Sequence, residues 1–131
     1  SCHKEPLFTD NSFRNNGRPM NRFKDNGRMM ITGQSSDSLK FKVPSLRNVQ
    51  YSYPYMHDGS IFSVPQVIDH YMKVKAARPA GLDSNLKNPI ILTPLQKNEL
   101  SYFLYPLTDT SFTRSKRFGP DGPVYFKHWV E

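Results

Sequence analysis

Eleven prolines and seven glycines interrupt this chain of 131 residues, so long regular elements have few places to form. One stretch that escapes them begins at Ser63, where Pro65 and Gln66 follow in an order typical of a capped helix start. Behind this start, apolar residues recur at the spacing of one helix face: Val64, Val67, Ile68 and Tyr71. We therefore predict a helix with a single buried stripe here.

A second helix is predicted from Thr93, which with Pro94 and Gln96 repeats the capping pattern. Pro106 should end or kink this helix near Tyr105, because proline has no backbone N–H to donate. The face expected to be buried consists of Leu100, Phe103, Leu104 and Leu107. Strand patterns are poor, so the sequence predicts a mainly α fold with long loops.

Two similar segments, residues 13–18 and 23–28, each have an Asn-Gly pair after a phenylalanine. Asn-Gly favours tight turns because both residues tolerate positive φ. We interpret each segment as a turn anchored by its phenylalanine, Phe13 or Phe23. Farther along, residues 43–49 are expected to open a short helix, with Ser45 near its cap.

Net charge and apolar content bound the class of protein. The hydrophobic fraction of 37% is too high for a disordered chain, and no apolar run is long enough to span a membrane. The net charge is +7, but the basic residues are scattered singly, so nucleic-acid binding is not expected. Cys2 is the lone cysteine, which excludes an internal disulfide framework or a cysteine-based zinc site. The composition fits one small globular domain.

Cys2 and His3 carry the most specific chemistry of the sequence. A c-type haem is attached through Cys-x-x-Cys-His, in which the thiols form thioethers to the porphyrin and the histidine ligates iron. The first cysteine of such a motif would precede Ser1, so only its last part is visible. We accordingly expect the natural chain, with any targeting segment, to begin upstream. A Cys-His pair alone also arises by chance.

The order of several further segments adds specificity. Together they resemble the C-terminal haem domain of bacterial dihaem cytochrome c peroxidases, in particular the MauG-like branch. The likeness covers residues 1–112 and leaves residues 113–131 as a C-terminal extension. Its segments are Cys2-His3 with residues 7–10, the turns at 16–17 and 25–28, residues 41–49, the Pro-Tyr-Met-His-Asp-Gly-Ser run at 54–60, the helix through 67–71, and residues 92–109.

The resemblance implies a cytochrome c-like domain with one covalent haem c. In such enzymes an N-terminal haem domain cleaves hydrogen peroxide, and the C-terminal haem receives electrons and passes them inward. The chain would then be the electron-transfer part of a peroxidase-type oxidoreductase, inactive alone and periplasmic. Its partners would be the N-terminal haem domain and a small electron-donor protein or oxidisable substrate. The resemblance leaves open whether the protein forms a homodimer. A stand-alone monohaem cytochrome c carrier is the alternative, and a haem-free interaction module with the same fold is a third reading.

The resemblance also assigns roles at the iron. His3 would be the proximal ligand and Cys2 one thioether. The position of the family's sixth iron ligand corresponds to Tyr71 in this sequence. Tyr71 lies on the apolar stripe of the predicted helix, whereas Met72 is rotated away from this stripe by about 100°. Met72 and Met56 remain alternatives, as does a plain core role for Tyr71. In the same family pattern His57 lines the haem environment without binding iron.

Other family positions fall in the loops. Ser52 and Pro54 match residues whose backbone carbonyls help to coordinate calcium between the two domains, and a plain turn is the alternative. Arg47, with Asn48, is a candidate for contacts to the haem propionates, since guanidinium pairs with carboxylates. The candidates for packing on the haem, each of which fits a plain core role equally well, are Phe8, Phe13, Leu46 and Tyr55.

Overall fold

The computed structural model describes residues 2–77 and 80–115. Two longer helices dominate, α2 (Val64–Ala77) and α3 (Pro94–Phe103), and two short helices are α1 (Met29–Thr32) and α4 (Thr110–Thr113). Single 3-10 turns cover Ser35–Asp37, Val49–Tyr51, Ser84–Leu86 and Tyr105–Leu107. The strands β1 (Phe13–Arg14) and β2 (Phe41–Lys42) pair antiparallel. The helix-rich, loop-rich class predicted from the sequence is confirmed.

Helix α3 begins with a complete capping box. The Thr93 hydroxyl accepts from the Gln96 backbone N–H, and the Gln96 side chain accepts from the Thr93 N–H. Helix α2 has a variant of this arrangement, because the Gln66 side chain accepts from the N–H of Phe62 and Ser63 accepts from Gln66. Both starts lie where the sequence predicted them, since capping depends on residues only three or four positions apart.

The two long helices pack on each other through a small apolar core. Val64 and Ile68 of α2 are buried against Leu104, which follows α3. Leu107 packs against this cluster, as predicted, but Leu100 is 40% exposed and Phe103 is 58% exposed. The predicted burial of the α3 face is therefore wrong for these two residues, and Leu100 instead lines the cavity described below.

The N-terminal half is a set of loops tied by hydrogen bonds. Asn15 is buried, and its amide oxygen accepts from the Gly17 N–H while its nitrogen donates to the carbonyl of Ala80. The predicted turns exist, but Phe13 is 40% exposed and Phe23 is 73% exposed. The expectation that phenylalanines anchor these turns is wrong, since polar side chains hold them.

Residues 43–49 do not open a helix as expected. Ser45 instead donates its hydroxyl to the Leu7 carbonyl at 2.6 Å and accepts from the Arg47 N–H, and a 3-10 turn follows at Val49–Tyr51.

Most of the predicted C-terminal extension lies outside the described residues. Among the helices that the structure describes, none combines the length and apolar content needed to cross a bilayer.

Candidate functional site

An apolar cavity of about 310 Å³ lies between the N-terminal loops and helix α2. This volume falls within the range of roughly 300–1,000 Å³ found for small-molecule and cofactor sites. Most of the exposed wall surface is apolar, although several polar and charged side chains also reach the cavity. The lining residues are Cys2, His3, Arg14, Asn16, Phe41, Lys42, Val43, Pro44, Ile68, Tyr71, Asp83, Leu86, Ile90, Leu92 and Leu100.

Cys2 and His3 both line this cavity, and hydrogen bonds hold them there. The His3 Nδ1 lies 3.0 Å from the carbonyl oxygen of Phe8. A carbonyl only accepts, so Nδ1 carries a proton, and in the neutral imidazole this leaves the lone pair on Nε2. The Cys2 thiol is not in a disulfide and lies 3.8 Å from the Asn85 amide nitrogen, and the Cys2 carbonyl accepts from the Asp10 N–H at 2.9 Å. An imidazole fixed through its other nitrogen to a carbonyl is the usual arrangement of a histidine that ligates a metal.

Tyr71 and Met72 lie in different surroundings on α2. Tyr71 lines the cavity, and burial raises the pKa of its phenol. A hydrogen bond with the Asn16 side chain partly offsets this rise in the pKa. Met72 packs instead on the core cluster between the helices. The phenol of Tyr71 thus shares one cavity with the imidazole of His3, whereas the Met72 side chain contributes to the packing of α2 on α3.

Arg14 is a cavity residue that the sequence analysis missed. Its guanidinium contacts Asp10 at 2.7 Å and Asp83 at 2.9 Å. Hydrogen bonds from the Ser12 hydroxyl and from Arg14 hold the pKa of Asp10 well below its usual range, and the two carboxylates raise the pKa of Arg14. Because Asp83 lies 69 positions along the chain, no local sequence pattern signals this pairing.

Arg47 lies outside the cavity lining. Its guanidinium donates to the Pro6 carbonyl through Nη2 at 2.6 Å and Nε at 3.1 Å, and its Cζ lies 5.7 Å from the centre of the Phe8 ring. Asn48 accepts from the Asp109 N–H at 2.7 Å. These contacts tie the 43–49 loop to the segment after His3 and to the end of the described chain.

The residues predicted to pack on the haem also contact other parts of the loops. The Tyr55 hydroxyl donates to the Val49 carbonyl at 3.0 Å, and Leu46 packs on the helix core. The Arg28 guanidinium covers the exposed ring of Phe13 at 4.7 Å. Phe8 acts through its backbone, by accepting from His3. None of these four residues lines the cavity.

The loop with Ser52 and Pro54 is the segment whose backbone carbonyls were predicted to help coordinate calcium. The Ser52 hydroxyl donates to the Val49 carbonyl at 3.0 Å. Within residues 2–77 and 80–115, no group of three or more His, Cys, Asp or Glu side chains is arranged to hold a metal ion. The described side chains thus give calcium no support, whereas ligation by the backbone carbonyls of Ser52 and Pro54 stays a prediction, with a plain turn as its alternative.

Fold and cavity together define a class: a small helix-rich domain whose apolar cavity is lined by an adjacent thiol and imidazole and by a phenol. The methylamine utilization protein MauG of Methylorubrum extorquens is 34% identical to this chain over 107 residues. The cytochrome c551 peroxidase of Nitrosomonas europaea is 30% identical over 122 residues. These alignments cover 82% and 91% of this chain, and 30% and 36% of the two relatives.

A solved structure has the same fold. It is a MauG-like protein associated with microbial copper homeostasis, with a TM-score of 0.74 and 33% identity over 86% of this chain and 37% of that one. No family model matches the sequence. The chain belongs to the family of MauG and bacterial cytochrome c peroxidases, as its motifs predicted, and it spans about a third of the length of these relatives.

Members of this family carry c-type haem, and the cavity residues fit such a group. An apolar slot suits the faces of a porphyrin, and Cys2 is next to an imidazole whose Nε2 is available to a metal. Sequence reasoning found Cys2, His3 and Tyr71. It missed Asn16 and Phe41 as lining residues, although both lie in segments that carried the resemblance.

Proposed function

We propose that this chain is the C-terminal, electron-transfer haem c domain of a dihaem cytochrome c peroxidase or MauG-like oxidase. It would relay electrons to a peroxidatic haem in an N-terminal domain that reduces hydrogen peroxide. The observation that carries the proposal is the shared cavity of Cys2, His3 and Tyr71, with the His3 Nδ1 already occupied by the Phe8 carbonyl. The family relationship supports the same reading.

Three residues would hold the group. Cys2 would form a thioether, His3 would ligate the iron through Nε2, and Tyr71 would supply a second ligand to the iron. When bound, the haem supplies an iron that accepts and donates single electrons. The Phe8 carbonyl keeps the imidazole oriented, and the apolar part of the cavity wall would exclude water from the bound group. A tyrosinate oxygen would favour ferric iron, whereas a methionine thioether would raise the reduction potential.

The proposed setting follows from this chemistry. Covalent haem attachment takes place outside the bacterial cytoplasm, so the protein would act in the periplasm. Its electrons would come from a small donor protein or an oxidisable substrate, and its partner within the same protein would be the N-terminal haem domain.

Expression of the full-length gene in a bacterium that attaches haem covalently tests the proposal. Mass spectrometry of the peptide containing Cys2 should show an attached haem, and haem staining should survive a denaturing gel. The His3→Ala variant should lose the native absorption spectrum of this haem. His128→Ala, in the segment beyond the family likeness, is the matched control and should leave the spectrum unchanged.

A Cys2 peptide without haem would contradict the proposal. The full-length gene separates the two haem-binding alternatives: a second Cys-x-x-Cys-His motif upstream supports the dihaem enzyme. A signal peptide directly before the motif of Cys2 would instead identify a stand-alone cytochrome c carrier.

A further inference from the structure

Asn16 and Tyr71 belong to distant segments of the chain but line the same cavity. The Asn16 side chain also forms a hydrogen bond with Tyr71, which lowers the pKa of the phenol against the effect of burial. A hydrogen bond lowers the pKa of an acid when the partner donates to its charged form. Asn16 is thus a polar residue of the cavity that acts on the candidate iron ligand.

Contacts on both sides of the Asn16 amide show which of its groups faces which partner. The amide oxygen accepts from the Arg18 backbone N–H at 3.2 Å. The amide nitrogen contacts the Met56 sulfur, a weak acceptor, at 3.4 Å. Since an NH2 group carries two hydrogens, one remains for the phenol oxygen of Tyr71. Asn16 therefore donates to Tyr71, and its amide oxygen faces Arg18.

His70 fixes the backbone of Asn16 on helix α2. The His70 Nε2 lies 2.9 Å from the Asn16 carbonyl oxygen, and because a carbonyl only accepts, Nε2 is the donor. The His70 ring also packs edge-on against the ring of Tyr71, with centres 5.3 Å apart. Two adjacent residues of α2 thus contact Asn16, one at its backbone and the other at its side chain. This double contact fixes where the amide lies relative to the phenol.

We propose that Asn16 is a positioning residue that holds the Tyr71 oxygen in the cavity as a ligand of the haem iron, an inference that rests on the haem function proposed above. Asn16 does not contact the iron and acts through Tyr71. Its N–H also draws electron density from the phenol oxygen, so this oxygen donates less to the iron than it would without the hydrogen bond. The hydrogen bond would therefore limit how far Tyr71 lowers the reduction potential.

Asn16→Leu in the full-length haem protein tests this role, because leucine branches at the same atom as asparagine and has no donor. Without the N–H, the phenol oxygen should donate more strongly to ferric iron. The iron–phenolate charge-transfer band should move to longer wavelength, and the reduction potential of this haem should fall. Loss of the band, with haem still attached, would also support the role, since the oxygen is then no longer held at the iron.

Asn16→Asp provides a second variant if Asn16→Leu does not fold. Aspartate has the shape of asparagine and keeps an oxygen for the Arg18 N–H. It lacks both amide hydrogens and adds negative charge, so a larger fall in the reduction potential is expected. Asn16→Gln, which keeps an amide N–H on a longer side chain, should restore the wild-type band and potential at least in part.

Asn26→Leu is the matched control. Asn26 holds the same place in the second of the two similar turn segments, and its amide nitrogen also contacts a methionine sulfur, that of Met29, at 3.0 Å. It does not line the cavity. The band and potential of Asn26→Leu should equal those of the wild type, and a change as large as that of Asn16→Leu would overturn the proposal.

An unchanged band and potential in both Asn16→Leu and Asn16→Asp, with haem still attached, would overturn the positioning role alone. A wild-type haem protein without an iron–phenolate band would overturn it as well, because Tyr71 would then not be a ligand. A wild-type protein without covalent haem would overturn the proposed function, and the haem stain detects that case separately.

Discussion

Helical phase separates the two candidate ligands Tyr71 and Met72, although they are adjacent in sequence. Successive residues of a helix point about 100° apart. Tyr71 accordingly lines the cavity, whereas Met72 packs between α2 and α3. The apolar stripe had already favoured Tyr71, because it shares a helix face with the buried Ile68.

Replacing the phenol of Tyr71 should change the iron site without disturbing the fold. We expect Tyr71→Phe in the haem protein to alter the ferric optical and EPR spectra and to raise the reduction potential, since an anionic oxygen ligand favours ferric iron. The matched control is Met72→Leu, a nearly volume-conserving change that should cost less than about 1.5 kcal/mol and leave the spectra unchanged. Spectra that respond to Met72→Leu but not to Tyr71→Phe would identify the sulfur as the ligand.

At the scale of elements, glycines determine how closely the N-terminal loops approach each other. Gly27 forms a bridge with Lys40 and has a φ of +63°. A Cβ at this position would lie 2.5 Å from the Lys40 carbonyl oxygen. Gly33, which ends α1, has a similar φ of +67° but open space around it. The two glycines thus have the same backbone conformation, but only Gly27 has another backbone segment in close contact.

The pair Gly27→Ala and Gly33→Ala separates these two effects. Gly33→Ala should cost about 1–2 kcal/mol, the penalty for a side chain in the left-handed region. Gly27→Ala should cost more, because the Lys40 backbone has to move as well and its bond from the Arg28 N–H is disturbed. Chemical denaturation of both variants measures the difference, and equal losses would show that the close contact relaxes freely.

At the scale of the whole molecule, Arg14 joins distant parts of the chain beside the cavity. It bridges Asp10, in the loop after His3, and Asp83, which caps a 3-10 turn after α2. Burial opposes ionisation of Asp83, but bonds from the Asn85 N–H and the Arg14 guanidinium outweigh it and lower its pKa. This link connects the loop of the proposed iron ligand to the segment beyond the long helix.

Because Asp83 has to be ionised to pair with Arg14, we predict that the fold loses stability in acid. A carboxylate whose pKa is lower in the folded state stabilises the fold above the unfolded value of about 3.9, and this contribution is lost as the pH falls below it. Thermal denaturation of Asp83→Asn should therefore show a lower midpoint at neutral pH and a smaller further decrease between about pH 5 and pH 3.

Asp69→Asn is the control for this effect, because its ion pair with Lys97 is 40% exposed on the Asp69 side and surface pairs contribute little. An acid response of Asp83→Asn equal to that of the wild type would show that Asp83 contributes nothing to it.

The sequence alone determined the features that depend on near neighbours. The capped start of α3 at Thr93 and the phase of Tyr71 on α2 follow from residues within one or two turns, and the Cys2-His3 motif needs only adjacency. The ordered motifs also identified the family, because several short segments in one order rarely arise by chance.

Only the tertiary structure decided which residues meet across the cavity. Arg14 with Asp83 and His57 with Phe41 are contacts between distant segments, and they depend on how irregular loops pack. Sequence patterns also did not reveal that Leu100 is exposed or that Arg47 donates to the Pro6 carbonyl. Apolar periodicity and residue type do not show which partner a side chain finds in the folded protein. Local propensity acts over a few residues, whereas burial and pairing depend on the whole fold.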